Sequence, residues 1–168
     1  MPGNVMASIL GNFSLAMLVL AVFFMIFHKI MVGKRFIESE IVFRWISFFA
    51  LGVTGVFAFI MHLFFPHLAS ASIGWFTNPF EYEVAMANLS IGVLGILAFK
   101  ASYGFRLATV IAATIWLWGD ALVHIYQMVA HNNFAVGNAG SWFWMDIVIP
   151  FLLIICISNL RPGKLITL

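Results

Sequence analysis

The sequence predicts an all-α, polytopic membrane bundle of five helices. Three observations carry that expectation. First, 64% of the 168 residues are hydrophobic and 8% are charged, with a mean hydropathy of +1.08. A soluble domain carries about 25% charged residues, so hydrocarbon is the natural solvent here. Second, five apolar stretches, 8–31, 43–65, 82–100, 104–130 and 142–160, are of the order of the roughly 20 residues a spanning helix needs. Third, the Lys and Arg residues sort by loop. Lys29, Lys34, Arg35, Arg44, Lys100, Arg106, Arg161 and Lys164 all fall in the first loop, the third loop or the C-terminal tail. With five helices these regions share one face of the membrane. The positive-inside rule makes that face cytoplasmic, which gives an N-out/C-in, multi-pass protein of the cell membrane.

The elements follow in order. In the first stretch the basic residues come after the apolar run, so it reads as a retained helix rather than a cleavable signal. The first loop, HKIMVGKRFIESEIVFR, is short and reads as a brief interfacial helix, with Glu40 and Arg44 able to pair if the second helix starts early. Gly55, Ala58 and His62 form a small-residue face on the second helix. The long connection FPHLASASIGWFTNPF ends in a helix start: Asn78 suits the cap, Pro79 the first position, and Glu81 completes a capping-box pattern. On the third helix Glu83, Ala87 and Ser90 are expected to point inward. The glycine pairs Gly52/Gly55 and Gly92/Gly95 allow close helix approach. The loop HNNFAVGNAGSW carries the Gly and Asn of turn chemistry. In the fifth helix Pro150 leaves the carbonyl of Asp146 without its helical partner. Cys156 is alone, so no intrachain disulfide is possible. The whole chain, 1–168, reads as a single membrane domain, and Trp75, Trp142 and Trp144 read as an outer aromatic belt.

The stretch WGDALVHIYQM puts Asp120 and His124 one turn apart in the fourth helix, with Gln127 and His131 on the same stripe. A charged group at the bilayer centre costs about 2.5–3.5 kcal/mol or more, so this stripe must face helices or a wet cavity. At about 1.5 Å per residue, His62, Glu83, Asp120, His124 and Asp146 each stand about 21–27 Å above the basic residue that flanks their helix. Four helices thus send ionisable groups to one outer layer. Two His and two or three carboxylates (His62, Glu83, Asp120, His124, Asp146) suit zinc or non-haem iron. Alternatively the layer lines a polar cavity in which a small ligand meets Glu83, Asn88, Asp120, His124 and Gln127. Haem between His62 and His124 is disfavoured by the crowded carboxylates.

Each residue also has a plainer role. Glu81 reads as a cap, His67 and His131 as loop residues, and Asp120 with His124 as a structural hydrogen-bonded pair. No phosphate-binding loop, dinucleotide fingerprint or nucleophile with an adjacent base occurs, and nothing supports nucleic-acid binding. The expectation is an outward-opening intramembrane cavity that binds a metal ion or small ligand for sensing or transport. A metal-dependent membrane enzyme and a structural accessory subunit are the alternatives. The partners expected are the lipid bilayer and that ligand, and a homo-oligomer is compatible with the sequence.

Three stretches, SIGWFTNPFEYEVAMANLSIGVLGILA (72–98), WLWGDALVHIYQM (116–128) and HNNFAVGNAGSWFWMDIVIP (131–150), together resemble a family of small bacterial integral membrane proteins of unknown function. The resemblance covers residues 70–160 or so. It implies the membrane class and a bacterial origin, and no activity.

Overall fold

A computed structural model describes residues 10–32 and 38–160. All secondary structure among the described residues is helical. Helix α1 spans Phe13–Val32. Helix α2 runs over Glu38–Phe64, with a π-helical stretch, Ile46–Val53, at its centre. A short helix α3, Pro66–Ile73, begins on its proline and stops at Gly74, whose φ of 78° is left-handed. Helix α4 covers Phe80–Ala98. Asn78 Oδ1 accepts the Phe80 amide at 2.9 Å, so the sequence's helix-start signal is realised by Asn78. Helix α5, Tyr103–His131, starts on the Ser102 cap and ends at Asn132, φ 51°. A single turn α6, Val136–Ala139, precedes α7, Ser141–Asn159, which runs through Pro150.

Five helical spans, Phe13–Met31, Glu38–Phe64, Phe80–Ala98, Tyr103–His131 and Val136–Asn159, are long and apolar enough to cross a membrane. Their outer faces carry Phe23, Ile30, Ile115, Leu122 and Val129, all largely exposed. Such a surface needs hydrocarbon around it. Some expected boundaries move. The second span starts at Glu38, not residue 43, the fifth at Val136, not residue 142, and the connection after the second contains α3. Of the first loop, residues 33–37 lie outside the described residues, as do Lys34, Arg35, Arg161 and Lys164. The remainder belongs to α1 and α2 rather than to an interfacial helix.

The early start of α2 has an electrostatic cause. Glu40, Arg44 and Arg106 are each at most 3% exposed. Glu40 accepts from Arg44 Nε at 2.6 Å and, through both oxygens, from Arg106 Nη1 at 2.6 Å and Nη2 at 3.0 Å. Arg106 also donates to the carbonyls of Ala98 and Phe99 at the end of α4, both at 2.9 Å. Its guanidinium lies 4.9 Å from the centre of the Phe43 ring. A bidentate pair with its spare donors satisfied is the form in which buried charge is tolerated. These three residues tie the starts of α2 and α5 to the end of α4. Near them, on the same end, Lys29 pairs with Glu38 and Trp45 donates to His28 at 3.0 Å.

Helices α2 and α4 touch backbone to backbone. A Cβ placed on Gly92 would stand 2.7 Å from Val56 N, and one on Gly95 2.8 Å from Gly52 N. The glycine pairs therefore do what small residues do between membrane helices. They also set the face of α4: Gly95, Gly92, Asn88, Ala85 and Glu81 follow at helical spacing. That face is not the one expected from Glu83, Ala87 and Ser90, since Glu83 and Ser90 are exposed and Glu81 is buried. The rest of the core is Leu51, Ile91, Val110, Ile149 and Leu153 with their neighbours.

Candidate functional site

At the end of the bundle opposite Arg106, a cavity of about 300 Å³ opens between the helices. Its wall is mostly apolar, with Leu51, Met61, Ile91, Leu117 and Ile149 among its residues. Into this setting converge four side chains of the expected layer, His62 from α2, Asp120 and His124 from α5 and Asp146 from α7, together with the ligand candidate Asn88 from α4. Volume and lining match what small-molecule sites have: an apolar body with a few placed polar groups.

His124 is held by a residue outside that layer. Its Nδ1 lies 2.8 Å from Asn138 Oδ1. A carboxamide oxygen only accepts, so Nδ1 carries the proton and Nε2 is the free nitrogen of the neutral ring. Asn138, fully buried, returns Nδ2 to the carbonyls of His124 (3.3 Å) and Asn133 (2.9 Å). Nε2 then faces Asp146 Oδ2 at 3.7 Å, beyond hydrogen-bond range. The Trp75 ring sits 6.0 Å from the imidazole, centre to centre. Asp120 is not the partner of His124 expected from their spacing: among the described residues no hydrogen bond reaches its carboxylate.

His62 is tied down differently. Its Nδ1 meets Glu81 Oε2 at 2.5 Å. Glu81 is thus the buried partner of a cavity histidine, not the cap its position suggested. Glu83 is exposed and does not line the cavity, and Gln127, half-buried, does not line it either. Gln127 instead offers its backbone carbonyl to the Asn133 amide at 3.1 Å, closing the end of α5. His67 and His131 are exposed, His67 at 3.1 Å from Thr77 Oγ1 and His131 against Tyr126. Among the described residues, no three His, Cys, Asp or Glu side chains gather as the ligands of one metal ion would.

The cavity's ceiling is built from the loops. Asn133 Nδ2 donates to the Ile73 carbonyl at 2.9 Å, joining the end of α5 to α3. A Cβ on Gly137 would lie 2.6 Å from Ser72 O, so α6 packs directly on the α3 backbone. On the α1 side, Phe13 stacks on Phe57 at 3.7 Å, and Phe57 on Trp142 at 6.2 Å. Trp142 Nε1 donates to the Leu10 carbonyl at 3.1 Å and Ser141 Oγ to that of Gly11 at 2.6 Å. Trp142, expected in an outer belt, lines the cavity, as does Trp75. Two polar atoms on this wall are buried and have no hydrogen-bond partner among the described residues: Ser14 Oγ and Trp75 Nε1.

Glu81, Asn138, Ser14 and Trp75 escaped the sequence reading as site residues. Counting back from Gly92 in helical steps reaches Asn88, Ala85 and Glu81, and would have found the first. Asn138 had no such signal, because a turn asparagine in a Gly-rich loop looks the same whether or not it reaches a helix.

The model of a family described as "Family of unknown function (DUF6790)" matches residues 11–163. The match extends well beyond the stretch that carried the sequence resemblance and takes in α1 and α2. No curated protein and no solved structure matches. The chain belongs to the DUF6790 family.

Proposed function

We propose that this member of DUF6790 is an integral membrane protein, one membrane domain, that binds a small organic ligand in its intramembrane cavity, for sensing or transport. The observation that carries the reading is the convergence of His62, Asn88, Asp120, His124 and Asp146 from four helices on one largely apolar cavity. Ionisable groups at membrane depth are costly and mark functional paths. Here two of them, His62 and His124, are held by dedicated partners. The donor geometry favours an organic ligand over zinc or iron, since no set of three metal-ligating side chains comes together among the described residues. The chain lies in the cell membrane in this reading. Lys29, Arg44, Lys100 and Arg106 sit at the end away from the cavity, so the positive-inside rule puts that end in the cytoplasm and opens the cavity outward.

The test is native mass spectrometry of the protein purified in mild detergent, beside the Ala58→Trp variant. Ala58 is a buried small residue on the cavity wall, and indole there fills the space. A small molecule bound to the wild type and missing from the variant is the expected result. Identical spectra would overturn the reading. Elemental analysis of the same samples covers the other arm: near-stoichiometric zinc or iron, lost in an Asp120→Ala/His124→Ala double variant, would replace the organic ligand by a metal.

A further inference from the structure

We infer that the ligand is an amphipathic organic amine, its ammonium group held between Asp120 and Asp146 and its apolar body lying along Leu51, Ile91 and Leu117. The inference rests on the ligand-binding reading above and names the chemical class. Four observations support it. Among the described residues, two carboxyl groups line the cavity and no Lys or Arg does. Asp120 has no hydrogen bond among the described residues, and Asp146 has only His124 Nε2 at 3.7 Å, so both are short of donors. Carboxylates at this depth need a cation or strong donors to stay charged, and an ammonium supplies three donors and the charge together.

The remaining two observations concern the other end of the ligand. Ser14, fully buried, and Trp75 both line the same cavity, and among the described residues neither the Ser14 hydroxyl nor the buried Trp75 indole N–H has a hydrogen-bond partner. Unmet buried donors are rare in folded proteins and usually mean an absent polar partner. They call for an acceptor, such as a hydroxyl or carbonyl, on a molecule whose cation is elsewhere. The Trp75 and Trp142 rings and the aliphatic wall suit an aromatic or short alkyl body between them. A metal ion would meet the carboxylates but leave the indole N–H and the apolar volume without a partner.

Tyramine and its neutral analogue tyrosol, which replaces the amine by a hydroxyl, separate the class from the cavity. Each is titrated calorimetrically into the wild-type protein in lipid nanodiscs, with empty nanodiscs subtracted. Tyramine is expected to bind more tightly by about tenfold or more, the worth of hydrogen bonds to a charged group. Asp120→Asn and Asp146→Asn are each expected to remove that preference, while exposed Glu83→Gln retains it. The comparison of two ligands on wild-type protein stands even if an Asp variant fails to fold. Equal affinity overturns the amine and leaves the ligand-binding reading intact. Binding of neither probe, while Ala58→Trp still loses a co-purified molecule, does the same. Binding of neither with no molecule lost in Ala58→Trp overturns both.

Discussion

Asn138 grips His124 at two points, Oδ1 on the ring nitrogen at 2.8 Å and Nδ2 on the backbone carbonyl at 3.3 Å. One loop residue thereby fixes both the tautomer of the histidine and the height of the turn that carries it. Replacing Asn138 by Leu keeps the size and removes every hydrogen bond. The orphaned groups are expected to cost about 1–3 kcal/mol, read as a lower midpoint in SDS unfolding. A shift within about 0.5 kcal/mol would reduce Asn138 to loop filling.

Glu81 and Glu83 form an internal comparison, two residues apart on α4 and on opposite sides of it. Glu81→Gln weakens the bond to His62 and is expected to destabilise by about 1–3 kcal/mol. Glu83→Gln, on the exposed side, is expected to stay within about 0.5 kcal/mol of wild type. Reversal of the two in thermal unfolding would restore the helix face that the sequence alone suggested.

Glu40 faces two arginines with one carboxylate. Glu40→Gln leaves their charges uncompensated in the core and is expected to cost about 3–5 kcal/mol. Arg106→Lys is not conservative here, because an ammonium cannot span both Glu40 oxygens and the Ala98 and Phe99 carbonyls. Expression and melting temperature should fall in both variants. Wild-type melting of Arg106→Lys would show that a point charge suffices.

Gly92 and Gly119 predict opposite outcomes for one chemical change. At Gly92 a methyl group meets Val56 N at 2.7 Å and Gly52 O at 3.0 Å, so Gly92→Ala forces α2 and α4 apart, a loss of about 1–3 kcal/mol. At Gly119, within α5, an added Cβ would meet nothing within 4 Å among the described residues apart from its own helix backbone. Gly119→Ala is expected to gain about 0.5–1 kcal/mol from helix propensity. Equal behaviour of the two in the same unfolding assay would contradict the close approach of α2 and α4.

The number of helices and their rough limits were legible because a run of apolar residues is a direct statement about solvent. Gly52, Gly55, Gly92 and Gly95 were legible as a contact because their small size has few other uses. Counting heights placed His62, Asp120, His124 and Asp146 at one level, and all four line the cavity. Height carries no azimuth, however, and Glu83 was chosen where Glu81 points inward. Pairing across loops was out of reach as well: Asn138 finds His124, and Arg106 finds Glu40, only after the chain has folded back. Arg44 and Arg106 look like flanking charges in the sequence. Their burial depends on the Glu40 carboxylate, which reaches Arg44 from one turn back on α2 and Arg106 from another helix.

The π-helical stretch Ile46–Val53 separates two contacts on one helix, Glu40 with Arg106 below it and His62 with Glu81 above it. Each residue of an α-helix turns the chain by about 100°, so the number of residues between the contacts fixes their relative angle. Deleting a single residue from 46–53 would relieve the wide turns, yet rotate one contact away from its partner. The two ends of the bundle are locked in phase by chain length alone, as teeth on one shaft are. An insertion or deletion in this stretch should therefore be felt at both ends, where a substitution of similar size would be felt at one.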